Sequence, residues 1–416
     1  MNKELTMEKK GLPVSWELKK ISDLFDIKSS KRVHKADWKE NGVPFYRARE
    51  VVKLAEYDTV DNALFISEEL YEEFIKEKGA PKEGDIIISA VGTLGKCYLV
   101  KSSDRFYFKD ASVLWFENIS NVDTRYIEYA FKSDEIMKQV MNKSMGATVG
   151  TLTISRAKII EIPLPPLTQQ KQIVAILDKA FAAIDTAKAN AEQNQQNAKE
   201  LFESYLQNVF ENKGDNWEEK ALGEFGLVQT GTTPKTSQKE NYGSFIPFAK
   251  PPHFKKNGQI DTKESYLSEI GMGKSRVFPA NSVLMVCIGA TIGKTGFSDK
   301  AITSNQQING LTPNDEYYPR FFYYLFISGN VQKQIMSIGK GAQATLPIIN
   351  KTKWSNINLT FPNSIEEQKQ IVQKLDLLSL ETKKLEAIYT QKIADLEEMK
   401  KAILEKAFKG ELTSAA

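Results

Sequence analysis

The residues with the clearest outline of chemistry are Gly289-Ala290-Thr291-Ile292-Gly293-Lys294-Thr295, which approach the form of a phosphate-binding loop. That loop needs four residues between its glycines, so that successive backbone N–H groups can cradle a phosphate. Here three intervene, and the cradle would not close. A second copy, Gly92-Thr93-Leu94-Gly95-Lys96-Cys97, has two residues between its glycines and no Ser or Thr after the lysine to hold magnesium. A shared tight turn after a strand accounts for both. Lys250-Pro251-Pro252-His253 has the outline of the Asp/Asn-Pro-Pro-Tyr/Phe motif of amino-methyltransferases. That chemistry needs a side-chain oxygen for the target amino group and an aromatic ring to stack the flipped base. Lysine offers only donors, histidine stacks poorly, and no Gly-rich strand-to-helix turn for a methyl donor accompanies them.

Cys97 and Cys287 are the only cysteines and His34 and His253 the only histidines, none of them spaced as metal ligands. No nucleophile elbow, carboxylate–lysine nuclease core or metal cluster stands out either. The chain is therefore expected to be non-catalytic, with no metal or cofactor of its own. Its 416 residues are 41% hydrophobic with a net charge of +3, an ordinary globular balance that excludes a histone-like tail. A DNA binder of this composition has to concentrate its positive charge on one face. The polar N-terminus and the absence of any run of about twenty apolar residues predict a soluble, cytoplasmic protein without a membrane partner.

What remains is polar equipment suited to double-stranded DNA. Predicted loops carry Lys31 and Arg32, Arg47 and Arg49, Thr232, Thr233 and Lys235, and Lys250 and His253. The Gly-Lys turns add Thr93 and Lys96 in one place and Thr291 and Lys294 in another. Lys143, Ser144 and Thr148 are matched later by Lys340, Gln343 and Thr345. Asn305, Gln306 and Gln307 follow the second Gly-Lys turn, with Asp110 and Ser112 near the first. Arg, Lys, Asn and Gln can satisfy base edges, and Lys, Ser and Thr can hold phosphates. Any one of them equally suits a solvated loop; their recurrence in pairs is what raises the group above background.

The elements that must position these residues come as a repeat. Gln170-Lys171-Gln172-Ile173-Val174 reappears as Gln368-Lys369-Gln370-Ile371-Val372, a shift of 198 that also aligns Leu177-Asp178 with Leu375-Asp376 and Phe210 with Phe408. With small insertions the repeat extends upstream, through Trp16-Glu17 and Trp217-Glu218, Pro44-Phe45 and Pro247-Phe248, and the two Gly-Lys turns. The expected order is domain, helix, domain, helix, with boundaries at 1–162, 163–213, 214–360 and 361–416. The domains read as mixed α/β. Asp85–Ala90 and Ser282–Cys287 are short apolar runs that suit buried strands, and Tyr126–Val140 and Phe321–Met336 suit amphipathic helices.

Thr168–Asn212 and Ile365–Lys409 contain neither Gly nor Pro and are predicted as long helices. Three–four spacing puts Leu375, Thr382, Tyr389, Leu396 and Ile403 at one heptad position and Leu378, Leu385, Lys392 and Met399 at the other. The first copy gives Leu177, Ile184, Ala191, Ala198 and Tyr205, with Ala180, Ala187, Asn194 and Leu201. Asn194 and Lys392 are thus expected as register-setting polar residues in the seam. Such a stripe also suits a helix lying on its own domain. A length of about 60 Å at roughly 1.5 Å per residue favours an antiparallel coiled coil within the chain.

In these residues the chain resembles the specificity subunits of type I restriction–modification systems, over nearly its whole length. The resemblance rests on Pro163-Leu164-Pro165-Pro166-Leu167 leading into Gln170–Val174, on Gln368–Val372, on the Gly-Lys turns, and on Leu404 with Phe408-Lys409-Gly410-Glu411-Leu412. Phe361-Pro362-Asn363-Ser364 departs from the proline pair of the first copy. The resemblance implies an α+β fold with two target-recognition domains, pseudo-twofold in its repeat and separated by the helical coiled coil. It implies that each domain reads one half of a split, asymmetric DNA site. The helices would dock two modification subunits that carry S-adenosylmethionine and methylate adenine, and an ATP-dependent restriction subunit would complete the nuclease. A scaffold that binds protein partners through the coiled coil without reading DNA is the alternative from another class; a stand-alone methyltransferase is a third.

Overall fold

The structure, a computed structural model, describes residues 12–61, 63–141, 150–255, 257–339 and 348–412. The chain forms two compact units, residues 1–191 with 391–416 and residues 192–390. Both units are α+β, as the sequence predicts.

In the first unit the strands are β1 (Glu17–Lys20), β2 (Phe25–Lys28), β3 (Val43–Tyr46), β4 (Phe65–Ile66), β5 (Ile86–Ser89), β6 (Cys97–Leu99), β7 (Tyr107–Phe108), β8 (Val113–Asn118) and β9 (Glu161–Leu164). The helices are α1 (Ile21–Leu24), α2 (Ala48–Tyr57), α3 (Glu68–Lys78), α4 (Thr124–Ala130), α5 (Asp134–Met141), α6 (Ile154–Lys158) and the first part of the long α7 (Leu167–Glu211), whose residues from 192 on belong to the second unit. An antiparallel sheet runs β2-β8-β5-β6, a smaller mixed sheet runs β4-β3-β7, and β1 pairs with β9. The apolar run in β5 is explained by cover on both faces. Ile86 and Ile88 join the core under α4, α5 and α7, whereas Ile87 packs with Val51 and Leu54 of α2.

The second unit repeats this plan. Its strands are β10 (Trp217–Ala221), β11 (Gly226–Thr230), β12 (Tyr242–Ala249), β13 (Tyr266–Leu267), β14 (Val277–Phe278), β15 (Ser282–Val286), β16 (Thr295–Ser298), β17 (Ile302–Ser304), β18 (Ile308–Pro313) and β19 (Asn358–Pro362). Its helices are α8 (Glu269–Gly273), α9 (Pro319–Ile327), α10 (Gly329–Gly339), α11 (Lys351–Ser355) and the first part of the long α12 (Ile365–Lys409), whose residues from 391 on belong to the first unit. The sheets are β11-β18-β15-β16, β13-β12-β17-β14 and β10-β19. Val283 and Met285 face one core and Leu284 and Val286 another, the same two-sided burial.

Three expectations need correction. Tyr126–Val140 and Phe321–Met336 are each two helices, not one. The break falls at Ser133 and Ser328, whose buried hydroxyls donate to the carbonyls of Ala130 and Leu325 at 2.6 Å and divert the chain. The third concerns the helical seam. Leu177, Ile184, Ala191 and Ala198 are buried and Tyr205 half-buried, as are Leu375 and Thr382, then Tyr389, Leu396 and Ile403. The partner position, however, lies one residue later than the three–four frame places it. Asn194, Leu201, Leu385, Lys392 and Met399 are exposed, while Ala180, Ala187 and Leu378 are half-buried. Phe181, Lys188, Gln195 and Phe202, with Ser379, Glu386, Ile393 and Lys400, take the positions beside the seam. A heptad of alternating three and four steps reads equally well in either phase from one stripe alone.

The long helices run antiparallel within each unit. Lys188 pairs with Glu397 and Lys400 with Asp185 in the first, where the Lys400 ammonium also lies over the Phe181 ring. In the second, Gln195 Nε2 donates to Thr390 Oγ1 at 2.7 Å. Polar register-setting contacts therefore exist, on different residues from those expected.

Each long helix is fixed to its own domain by a matched set of buried polar contacts. Gln170 Oε1 accepts from Asp123 N–H at 2.9 Å while its Nε2 donates to Pro165 C=O at 2.8 Å. Gln368 repeats this with Tyr318 N–H at 2.8 Å and Pro362 C=O at 3.0 Å. One turn or two later, Asp178 accepts from Arg125 and Tyr129, and Asp376 from Arg320, in a bidentate fork of 2.8–2.9 Å, and from Tyr324. Burial and the Asp376 carboxylate hold the Tyr324 phenol well above its usual pKa, so it remains a donor. Trp16 and Trp217 complete the sets by donating indole N–H to Gln169 and Glu367. At the start of α12 the missing proline pair is replaced by Ser364, whose hydroxyl accepts from Glu367 N–H at 3.4 Å. Gln368→Leu leaves the Tyr318 N–H and the Pro362 carbonyl without their partner. Its expected cost is about 2–4 kcal/mol, read as faster amide hydrogen exchange through α9 and the start of α12; unchanged exchange there would contradict the clamp.

Candidate nucleic-acid interface

Strand register gathers the predicted loops at one end of each domain. Lys28, the last residue of β2, lies opposite Trp115, and Ser89, the last of β5, lies opposite Val113, the first of β8. The segments leaving β2 and β5 thus emerge beside the turn that precedes β8. The strands β3 and β7 run parallel, so both also end here: Tyr46 faces Phe108, and Lys109 N–H donates to Tyr46 C=O at 2.8 Å. Ala90 N–H binds Ser112 C=O at 2.9 Å, and Leu152 N–H binds Ala90 C=O at 2.8 Å, which ties the segment at 150–155 to the same place.

The second unit has the same joints. Asn305 N–H donates to Ala249 C=O at 3.1 Å, Cys287 N–H to Gln307 C=O at 2.8 Å, and Ile349 N–H to Cys287 C=O at 2.9 Å. The Gly-Lys turns join β5 to β6 and β15 to β16, antiparallel neighbours. Gly95 and Gly293 adopt φ of +75° and +87°, the left-handed backbone that favours glycine. A strand-to-strand turn has no helix N-terminus behind it, and so no phosphate cradle.

The side chains at this end differ between the domains while their placement agrees. In the first, Arg32 Nε donates to Asp110 at 3.1 Å. Arg47 and Arg49 both bind Glu50, Lys31 pairs with Glu73 and Glu77 of α3 at 3.2 and 2.8 Å, and Lys96 pairs with Glu56 at 3.1 Å. Thr93 is exposed. Ion pairs at the surface are worth about 1 kcal/mol or less, so phosphates can compete for Lys31, Arg32 and Lys96. An open cleft of about 700 Å³ adjoins Asp110, with Ser29, Ser30, Thr151 and Lys158 among its polar lining and Leu114 and Leu152 among its apolar lining.

In the second domain, the loop after β11 meets the turn before β18 through Thr233, whose hydroxyl donates to Gln306 Oε1 at 2.5 Å. This occupies the place of the Arg32–Asp110 pair. Asn305 Nδ2 donates to Gln307 Oε1 at 2.9 Å, and Gln306, Lys235, Lys250 and Lys294 are exposed, with Thr291 half-buried. Pro251–His253 forms a single 3-10 turn in which Lys250 N–H donates to His253 Nδ1 at 3.2 Å. That bond puts the proton of the neutral ring on Nε2, and burial, reinforced by Lys250, pushes the imidazole pKa down. Sequence reasoning missed Ser275 and Arg276. Their side chains donate to the carbonyls of Thr232 and Thr230, each at 2.7 Å, and Arg276 is exposed. They immediately precede β14, more than forty residues along the chain from the loop they brace, and have no local signature. Lys143, Thr148, Lys340 and Gln343 lie outside the described residues.

The family model for the type I restriction modification DNA specificity domain matches this chain twice, at residues 13–195 and 214–397. The chain belongs to that family. Among its relatives, the HindI specificity subunit of Haemophilus influenzae is 34% identical over 149 residues, 35% of this chain and 32% of that protein. A putative MjaX specificity subunit from Methanocaldococcus jannaschii is 22% identical over 91% of both chains. The EcoKI specificity subunit of Escherichia coli is 23% identical over 90% of this chain and 84% of its own. In fold, the chain is similar to one from a structural study of assembly and conformational transition in a type I restriction–modification system. The TM-score is 0.75 at 19% identity, with 96% and 99% of the chains covered. It is also similar to the HsdS subunit of Thermoanaerobacter tengcongensis, with a TM-score of 0.64 at 19% identity and 96% and 98% covered. The two matched segments of this type I specificity chain are the two copies of the repeat.

Gly231 marks how tightly the loop after β11 is seated. A Cβ there would stand 2.1 Å from Ser304 Oγ and 2.3 Å from Asn305 C=O. Gly231→Ala should destabilise the second unit by about 1–3 kcal/mol in chemical denaturation and disturb the Asn305–Gln307 turn. An unaffected transition would show that the loop yields freely.

Proposed function

We propose that this chain is the DNA-reading, non-catalytic subunit of a type I restriction–modification complex, and that each domain reads one part of a two-part, asymmetric site. One observation carries the reading: two loop assemblies built on the same joints present different side chains, Arg32–Asp110 with Arg47 and Arg49 in one and Thr233–Gln306 with Lys250 and His253 in the other. Identical readers would imply a symmetric site; different readers imply an asymmetric one. The cations and amides at these ends are those that hold phosphates and base edges. Lys143, Thr148, Lys340 and Gln343 remain part of the proposed set.

The chemistry belongs to partners in this reading. Two modification subunits would supply adenine methylation with S-adenosylmethionine, and restriction subunits would complete the nuclease, in the cytoplasm where the DNA is. The helices offer a docking face: Leu377, Leu380 and Ile388 on α12 are 62%, 52% and 59% exposed, large apolar groups away from the seam. Among the described residues no helix is long and apolar enough to cross a membrane.

Two measurements test the proposal. The chain assembled with its modification subunits should bind a preferred duplex with an affinity that falls steeply and log-linearly with salt. Binding that is insensitive to both sequence and salt would instead leave a protein scaffold. Leu377→Lys combined with Ile388→Lys should prevent co-purification of the modification subunits while leaving the far-ultraviolet circular dichroism unchanged. Full retention of the complex would exclude this face from docking.

A further inference from the structure

Glu50 is an acid with almost no contact with water, yet it sits between a half-buried arginine, Arg47, and an exposed one, Arg49, at the loop end of the first domain. It is 3% exposed and lies in the first turn of α2, directly after β3. Its Oε2 accepts from the backbone N–H of Arg47 at 3.0 Å and from Arg47 Nε at 3.1 Å. Its Oε1 accepts from Arg47 Nη2 at 3.0 Å and from Arg49 Nε. Those four bonds use the acceptor capacity of the carboxylate. Burial alone would raise the Glu50 pKa, but the hydrogen bonds from Arg47 and Arg49 outweigh it and hold the carboxyl below its usual range.

The two arginines are not equivalent. The Arg47 side chain is 22% exposed and lies against the Trp38 ring, so its role is to pack and to neutralise. The Arg49 side chain is 65% exposed and gives Glu50 only its Nε. Its two terminal amino groups have no protein partner among the described residues. A guanidinium held at Nε by a buried carboxylate has lost much of its rotamer freedom before it meets a ligand, while its outer donors stay open. Two parallel N–H donors in a fixed plane match the O6 and N7 acceptors of guanine in the major groove. Adenine offers one acceptor and an opposing donor there.

We propose that Arg49, oriented by Glu50, is a specificity-determining residue that reads one guanine in the half-site of the first domain. This rests on the DNA-reading function proposed above. The corresponding turn of the second domain carries Lys250 and His253 in place of Arg47 and Glu50. There the imidazole takes the backbone N–H that the carboxylate takes in the first domain. No carboxylate-held fork exists in that turn, so the device is confined to one half-site. A lysine at position 49 would keep the charge but lose the planar pair of donors.

The test is the methylated motif of cells expressing the full complex, determined for the natural chain and for Arg49→Ala, Arg49→Lys and Glu50→Gln. One guanine in one half-site is expected to become degenerate in both Arg49 variants and partly so in Glu50→Gln, with the other half-site unchanged. If the natural chain directs no motif, the DNA-reading function itself fails. If the motif survives intact in Arg49→Ala, with methylation lowered evenly, Arg49 holds a phosphate and this inference fails alone. Should Arg49→Ala abolish methylation, the natural complex decides the matter with duplexes carrying 7-deazaguanine at each guanine of that half-site in turn. One position is expected to weaken binding by about tenfold or more; no effect at any position would overturn the assignment.

Discussion

The paired clamp of a buried glutamine and a half-buried aspartate is the constraint on which the rest of each unit depends. Gln170 and Gln368 sit in the first turn of their long helices and satisfy one backbone donor and one backbone acceptor of the adjoining domain. A glutamine with both ends used cannot slide along the helix axis without leaving buried groups unpaired, at a cost of about 1–3 kcal/mol each. Asp178 and Asp376 then fix rotation, because the Arg and Tyr donors approach from one face of α4 or α9. Helix and domain are therefore held in one register in each unit, and the clamp residues are the part of the repeat that aligns without gaps.

That constraint leaves the far loops free to differ. Within each unit, equivalent backbone hydrogen bonds tie the loops at the end of the sheet β2-β8-β5-β6 or β11-β18-β15-β16, so that end is defined by main-chain geometry rather than by particular side chains. Arg32–Asp110 can become Thr233–Gln306, and Glu50 can become His253, without disturbing the joints. Glu50 and His253 show the substitution most clearly. Each caps the turn that follows the equivalent strand, one with a carboxylate and one with a neutral imidazole nitrogen. What the cap does for folding is the same. What the neighbouring side chain can offer to a base is not.

Much of this was legible in the sequence, for reasons that can be named. The ungapped match from Gln170 to Phe210 and from Gln368 to Phe408 reflects side chains with several simultaneous partners, which tolerate no shift. The two long helices read true to within a residue because neither Gly nor Pro interrupts them. The phase of the seam did not, because Asn194 and Gln195, or Lys392 and Ile393, are neighbours whose burial is decided by the opposing helix. Ser133 and Ser328 broke helices that periodicity joins, since a hydroxyl bonding back to a carbonyl leaves no trace in apolar spacing. At the interface, the candidate residues were legible by type and by recurrence. Their assembly at one end, the buried Glu50 and the bracing by Ser275 and Arg276 needed the strand register, which long-range pairing sets.

Whether one clamped scaffold carries two independent readers is measured by replacing residues 217–359 with the corresponding domain of another family member. The exchange retains Gln368 and Asp376 in the recipient and their tyrosine and arginine partners in the donor. The methylated sites of the exchanged complex are then mapped across a genome. One half-site is expected to change to that of the donor while the other is kept letter for letter. A motif altered in both halves, or lost in one without replacement despite a folded complex, would contradict it.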